Sequence, residues 1–204
     1  MTCATPTDGH RDIRQVHGPL TDHAHEAVAR VLRRGDLAVD ATVGNGFDTA
    51  FLGATVGPAG HVIGLDIQPL AIQRTQLLLG QAGLLARTTL LQCGHERLAT
   101  AVPQAWKGRV RAVMLNLGYL PRGDRTLTTQ PATTLAALRD AVTVLGTPGV
   151  LTVLAYRGHP GGAGEATAVE DWAAEIAAHG FSVTTLTSAD AGATSPVLHV
   201  VERC

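Results

Sequence analysis

Charge is scarce in this chain. Only 16% of its 204 residues are Asp, Glu, Lys or Arg, and the formal net charge is −1, which excludes a broad basic face and leaves any nucleic-acid footprint to local clusters. Three such clusters exist: Arg30, Arg33 and Arg34; Lys107, Arg109 and Arg111; and Arg122 with Arg125 about a turn. Each suits phosphate contacts or a plain solvated surface. Cysteine is scarcer still. Cys3, Cys93 and Cys204 form an odd, scattered set without disulfide or zinc spacing and read as reduced thiols. No stretch reaches eighteen uninterrupted apolar residues, and the first twenty residues lack a signal-peptide core, so a soluble cytoplasmic protein with no membrane partner is expected. His23 and His25 lie two apart and do not share a helical face, so no metal site is expected there.

Aromatic residues are also few, at 3%, against 45% hydrophobic residues in total. The balance is made up by Ala, Leu and Val, which suits buried parallel strands alternating with Ala/Leu-rich helices. Such a chain can bury one full core. Residues 1–17 are polar and without period and are read as a flexible arm; residues 18–204 are read as a single domain.

A helix is predicted from Thr21 or Asp22 to Gly35, with Ala24, Ala27, Val28, Val31 and Leu32 at helical spacing. Strands are predicted at 37–42, 61–67, 88–92, 111–117, 150–156, 181–187 and 197–202. Helices are expected at 47–56, from Pro69 to Gly83 and over 165–179, with further helix-compatible segments between strands. This alternation predicts an α/β fold: a Rossmann-like, mostly parallel sheet of about seven strands with helices on both faces.

Between the first strand and its helix, Asp40-Ala-Thr-Val-Gly44-Asn45-Gly46-Phe-Asp48-Thr49 forms a glycine turn at which backbone N–H groups can approach a ligand. The next strand ends in Asp66, placed to accept hydrogen bonds from both hydroxyls of a ribose. A dinucleotide site wants a third glycine where Thr49 stands, which disfavours NAD. Asp40 and Asp48 beside the turn would repel a pyrophosphate and attract the ammonium and sulfonium of S-adenosylmethionine (SAM). The same glycines also suit a tight turn alone, with the aspartates as helix caps. Cys93-Gly94-His95-Glu96 falls where adenine would lie, although Glu96 equally suits the first turn of a helix.

Asn116-Leu-Gly118-Tyr119-Leu120-Pro121 follows the fourth strand, where a substrate would meet the transferred methyl group. Methyl transfer is an in-line displacement and depends chiefly on alignment. An amine nucleophile must be neutral, and a carboxylate against it would raise its pKa, so the neutral carbonyl of Asn116 is the better acceptor. Tyr119 can stack on a base. Asp124 could take the proton afterwards or serve only the turn. Tyr156 and His159, in the loop after the fifth strand, could close over substrate or be ordinary loop residues.

With these residues in view, the chain resembles the small proteins labelled rRNA methylases, which include tRNA 5-aminomethyl-2-thiouridine methyltransferases. The resemblance rests on DATVGNGFDT, GLDIQPLAI, CGHE, NLGYLPRGDRTLTT and AYRGHPGGAGE and covers roughly Leu20 to Arg203. It implies a class I methyltransferase that uses SAM to methylate the aminomethyl nitrogen of the wobble uridine, with tRNA as partner. On that basis Asp40, Gly44, Asn45, Gly46, Asp48, Thr49, Asp66, Gln68, His95 and Glu96 fall on the cofactor side. Asn116, Tyr119 and Asp124 are the candidate catalytic residues, and Gly118, Leu120, Pro121, Tyr156 and His159 the candidate substrate contacts. The family often has His at position 47, Gly-Gly-Asp-Lys at 122–125 and an Asn- and Pro-rich stretch at 191–196. The alternatives are a methyltransferase of rRNA or of a small metabolite, and a SAM-binding regulator without catalysis. A homodimer is compatible with all of these readings.

Overall fold

The computed structural model describes residues 11–124 and 126–204. Eight strands form one sheet: β1 (Arg11–Val16), β2 (Leu37–Asp40), β3 (His61–Asp66), β4 (Thr88–Gln92), β5 (Val110–Leu117), β6 (Leu145–Ala155), β7 (Ser182–Ser188) and β8 (Val197–Arg203). They lie in the order β1-β7-β8-β6-β5-β2-β3-β4. All pairings are parallel except those of β8, which runs antiparallel between β6 and β7. The helices are α1 (Leu20–Val31), α2 (Phe47–Val56), α3 (Pro69–Gln81), α4 (Leu98–Ala101), α5 (Pro131–Val144) and α6 (Gly162–Ala177). This is the expected Rossmann-like architecture.

Alternation along the strands divides the core in two. Val39, Ile63, Val113 and Leu115 face α5 and α6, whereas Ala38, Val62, Ala112 and Met114 face α1 and α2. With both faces covered, the central strands carry near-continuous apolar sequence, which is why they were legible as strands. Helix starts follow local chemistry. Pro69 and Pro131 occupy the first turns of α3 and α5, where the missing N–H costs nothing.

Two readings are corrected. Arg11–Val16, assigned to a loose arm, forms edge strand β1 paired in parallel with β7. Its sequence hides this because an edge strand is stabilised by backbone pairing and here buries little; Ile13 is 62% exposed. Residues 1–10, including Cys3, fall outside the described residues. Among the cysteines, Cys93 is a free thiol, but Cys204 is disulfide-bonded rather than reduced. The arginine and lysine clusters at 30–34 and 107–111 border the amino ends of β2 and β5, the sheet edge opposite the ligand crevice of such folds. Arg125 lies outside the described residues. No helix among those described is long and apolar enough to cross a membrane.

Candidate functional site

The chain runs outward from β2 through β3 to β4, then returns to place β5 on the other side of β2. Loops leaving the carboxyl ends of β2 and β5 therefore diverge and open a crevice between them, the usual ligand position in doubly wound sheets. A cavity of about 1010 Å³ lies there. That is the upper end of the range for small-molecule pockets, room for a cofactor with part of a second reactant beside it. Gly44, Asn45, Asp48, Asp66, Gln68, His95, Glu96, Asn116, Gly118, Tyr119, Leu120, Pro121, Tyr156 and His159 all line it. Asp40, Gly46, Thr49 and Asp124 do not.

At one end, the β2–α2 turn meets the end of β3. Asp66 accepts hydrogen bonds from the N–H of Gly44 at 2.9 Å and from that of Gln68 at 2.8 Å, one on each carboxylate oxygen. Each oxygen keeps a lone pair for a ligand hydroxyl. Burial raises the Asp66 pKa, and the two N–H groups oppose that rise. Gly44 thus spends its N–H on Asp66 while its backbone lines the cavity. Beyond Asp66, the buried His95 leaves Nε2 without a partner. Burial also holds His95 below the usual histidine pKa, against the carboxylates of Glu96, Glu165 and Asp66. A neutral, unsatisfied ring nitrogen lining the cavity is suited to the polar edge of an adenine.

The residues that miss the cavity support it from behind. Asp40 is wholly buried and accepts hydrogen bonds from the Thr49 hydroxyl at 2.5 Å and the Thr42 N–H at 3.2 Å. Burial, reinforced by the charge of Asp48, pushes its pKa up to about 7. Of the two aspartates expected to face a cation, Asp48 reaches the cavity, as does Asp66, and Asp40 does not. Gly46 is glycine for packing: its φ is +84°, and a Cβ there would lie 2.5 Å from the Thr75 hydroxyl of α3. Asp124 is exposed and accepts from the N–H and hydroxyl of Thr126, which makes it a turn residue.

The other end brings together residues far apart in sequence. Asp48 accepts from the side-chain N–H of Asn116 and, on its other oxygen, from His25 Nε2 at 2.6 Å. The His25 ring stacks on Phe51, with centroids 4.0 Å apart and planes 7° from parallel. Asp48, which lines the cavity, thus joins α2 to both β5 and α1. Tyr156 is close enough that Asp48's charge adds to burial in raising its pKa. Tyr119 meets His159 edge to face at 5.9 Å. Tyr119, Tyr156 and Phe47 are 38%, 40% and 69% exposed, so three aromatic rings face outward at the cavity wall.

Sequence reading missed the bracing of the loop after β5. Gly118 donates its N–H to the Thr129 hydroxyl at 2.8 Å, and its carbonyl accepts from the Thr129 N–H and the Thr128 hydroxyl. Thr129 and Thr134 in turn donate to the buried carboxylate of Glu165, each at 2.6 Å. Arg74 of α3 donates to Asn45 Oδ1 and to the carbonyls of Pro121 and Arg122, tying the two loops together. An acidic residue in the first turn of the Ala-rich α6 was the available signal for Glu165. His25 had none, since its partner is 23 positions away.

A parallel sheet with β8 reversed, an acidic residue closing β3 and a neutral amide near the end of β5 give the chain the Rossmann-like architecture of the class I methyltransferases. The sequence profile of the "Putative rRNA methylase" family matches residues 62–202, and the chain belongs to that family. A protein of the same description from Clostridium thermocellum superposes with a TM-score of 0.86 at 35% identity, over 93% of this chain and all of that one. A Streptococcus mutans methyltransferase solved in complex with SAH gives 0.81 at 30% identity, over the same shares. The chloroplastic tRNA (mnm(5)s(2)U34)-methyltransferase of Arabidopsis thaliana is 39% identical over 158 residues, 74% of this chain. The chain spans 57% of that relative's length.

Proposed function

We propose that this methyltransferase acts on the wobble uridine of tRNA, converting 5-aminomethyl-2-thiouridine to 5-methylaminomethyl-2-thiouridine. The observation that carries the reading is the Asn116 amide. Its N–H is committed to Asp48, which leaves the carbonyl oxygen as a neutral acceptor at the cavity wall, the group that can hold an amine by an N–H without stabilising its charged form. The Arabidopsis relative's name supplies the substrate class.

The adenosyl end fits SAM by its own chemistry. Asp66 takes the ribose hydroxyls, His95 with Glu96 the adenine edge, and the Gly44–Asn45 backbone the amino-acid portion. Bound there, SAM supplies a methyl carbon made electrophilic by its sulfonium. The protein's part is positioning: Asn116 aims the amine lone pair, the Glu165–Thr129 brace fixes Gly118 and Tyr119, and the secondary ammonium product loses its proton to water. A wobble base is single-stranded and can be splayed onto aromatic faces, a role that suits Tyr119, Tyr156 and Phe47. This reading puts the enzyme in the cytoplasm with its tRNA, requires no metal and is compatible with a homodimer.

The test is nucleoside mass spectrometry of tRNA from a strain lacking the terminal methyl, incubated with the protein and methyl-labelled SAM. The expected result is conversion of the aminomethyl nucleoside to its methylamino form. Incorporation that ignores the modification state, or that appears in rRNA instead, refutes the assignment.

A further inference from the structure

We propose that His25 is a positioning residue for methyl transfer, holding the Asn116 amide in its reactive orientation through Asp48. The inference rests on the reading of Asn116 as the amine's acceptor and extends it to α1, whose Thr21 and His25 line the cavity.

An asparagine amide can flip about its terminal torsion, exchanging oxygen for nitrogen at nearly equal intrinsic energy. Its neighbours decide which end faces a ligand. Here a carboxylate stands on one side, and a carboxylate only accepts, so the amide N–H must point to Asp48 and the oxygen away from it. The flipped amide would set oxygen against oxygen and present an N–H to the amine lone pair, blocking attack.

Asp48 can impose this choice only if its own carboxylate is held, and His25 holds it. Nε2 lies 2.6 Å from Asp48 Oδ1, while Asn116 uses Oδ2, so one carboxylate is anchored from α1 and β5 at once. Since Asp48 accepts, Nε2 is the donor, and the stack on Phe51 fixes the plane of the ring. Asp48 and Phe51 are three residues apart on α2 and so share a face. The helix thus supplies both the partner of His25 and the surface on which its ring rests. His25 and Asn116 line the same cavity. This explains why α1, the lead-in helix before the first βα unit, carries a histidine over the site.

Two variants and two readouts test the proposal. In His25→Ala, kcat should fall about 10- to 100-fold, the scale of a misplaced reacting group, while KM for SAM stays within about twofold. His25→Gln, which keeps an N–H at about the reach of Nε2, should recover most of the lost rate. In the second readout, NMR of the Asn116 side-chain NH2 should show slow hydrogen exchange in the wild type and in His25→Gln and fast exchange in His25→Ala, whatever the methyl acceptor. Equal exchange in all three proteins overturns the proposal, as does a His25→Gln enzyme no better than His25→Ala. If the wild type methylates no tRNA, the proposed substrate fails, yet the exchange measurement still decides whether His25 locks the amide.

Discussion

The two ends of the cavity are built in different ways. The end proposed for the adenosyl group comes from three short pieces, each at the carboxyl end of a strand: the 41–45 turn, Asp66 to Gln68, and His95 with Glu96. The acceptor end comes from α1, α2, β5 and the loop after β6, with partners such as His25 and Asp48, or Thr129 and Glu165, that meet only after packing. On the proposed reading, local motifs create the binding site and tertiary contacts make it reactive. Binding and transfer should therefore be separable by mutation.

The sharpest way to break this comparison is Asn116→Ala. Rate should fall by about 100-fold or more, as expected when a reacting group loses its orientation, while SAM affinity measured by calorimetry changes by no more than a few-fold. A collapse of SAM binding in this variant would show that the ends are one unit. The converse change, Asp66→Ala, removes two ligand acceptors and the partner of the Gly44 and Gln68 N–H groups. It should weaken SAM binding by about 100-fold, at a few kcal/mol for charged hydrogen bonds. At saturating SAM, its kcat should stay within about tenfold of the wild type.

How much of this was legible before folding follows the same division. Asp66 announced itself by standing at the end of an apolar run, and the glycine turn by its spacing, because strand period and turn chemistry are local properties. Asp40 was read as a cavity residue because it adjoins that turn. In the fold it points into the protein, toward Thr42 and Thr49, and direction at a strand end depends on a pleat that sequence position alone does not supply. Asp48 was placed with the cofactor, and its hydrogen bond to Asn116 went unseen because the link spans 68 positions. Strand β1 escaped notice because backbone pairing to β7 holds it, and its side chains show no apolar alternation.

Asp40 links the two ends from behind: it holds Thr42 by its N–H, and the Thr42 hydroxyl accepts the Asn116 backbone N–H at 2.7 Å. Its charge state should therefore appear in stability. The folded pKa, about 7, exceeds the ordinary 3.8. Below about pH 4 both states are protonated, and the group makes no difference. From there to pH 7 the unfolded chain releases a proton that the folded one keeps, so stability falls as pH rises, then levels off. Asp40→Asn should remove that slope and be the more stable protein at pH 8, by up to about 4 kcal/mol, with little difference at pH 4. Urea titrations at the two pH values check this; parallel pH curves for the two proteins would place the carboxylate's proton elsewhere.

The smallest effect is expected where the two ends meet at the loop 118–124. Arg122 has a φ of +58°, in the left-handed region that costs a side-chain-bearing residue roughly 1 kcal/mol. Its carbonyl accepts from Arg74, and it is the one lysine or arginine among the described residues lining the cavity. Glycine would take this backbone without strain. Retaining arginine at such a position makes sense if its charge serves the RNA, since the basic clusters at the opposite sheet edge cannot reach the mouth. Arg122→Gly should therefore raise stability by about 0.5 kcal/mol, strain relief being partly offset by the freer unfolded chain. It should also weaken tRNA binding and lower its salt slope by about one, the signature of a single lost phosphate contact. Fluorescence titrations of tRNA between low and moderate salt measure that slope. An unchanged slope would take Arg122 off the RNA path and leave its strained backbone to the Arg74 clamp.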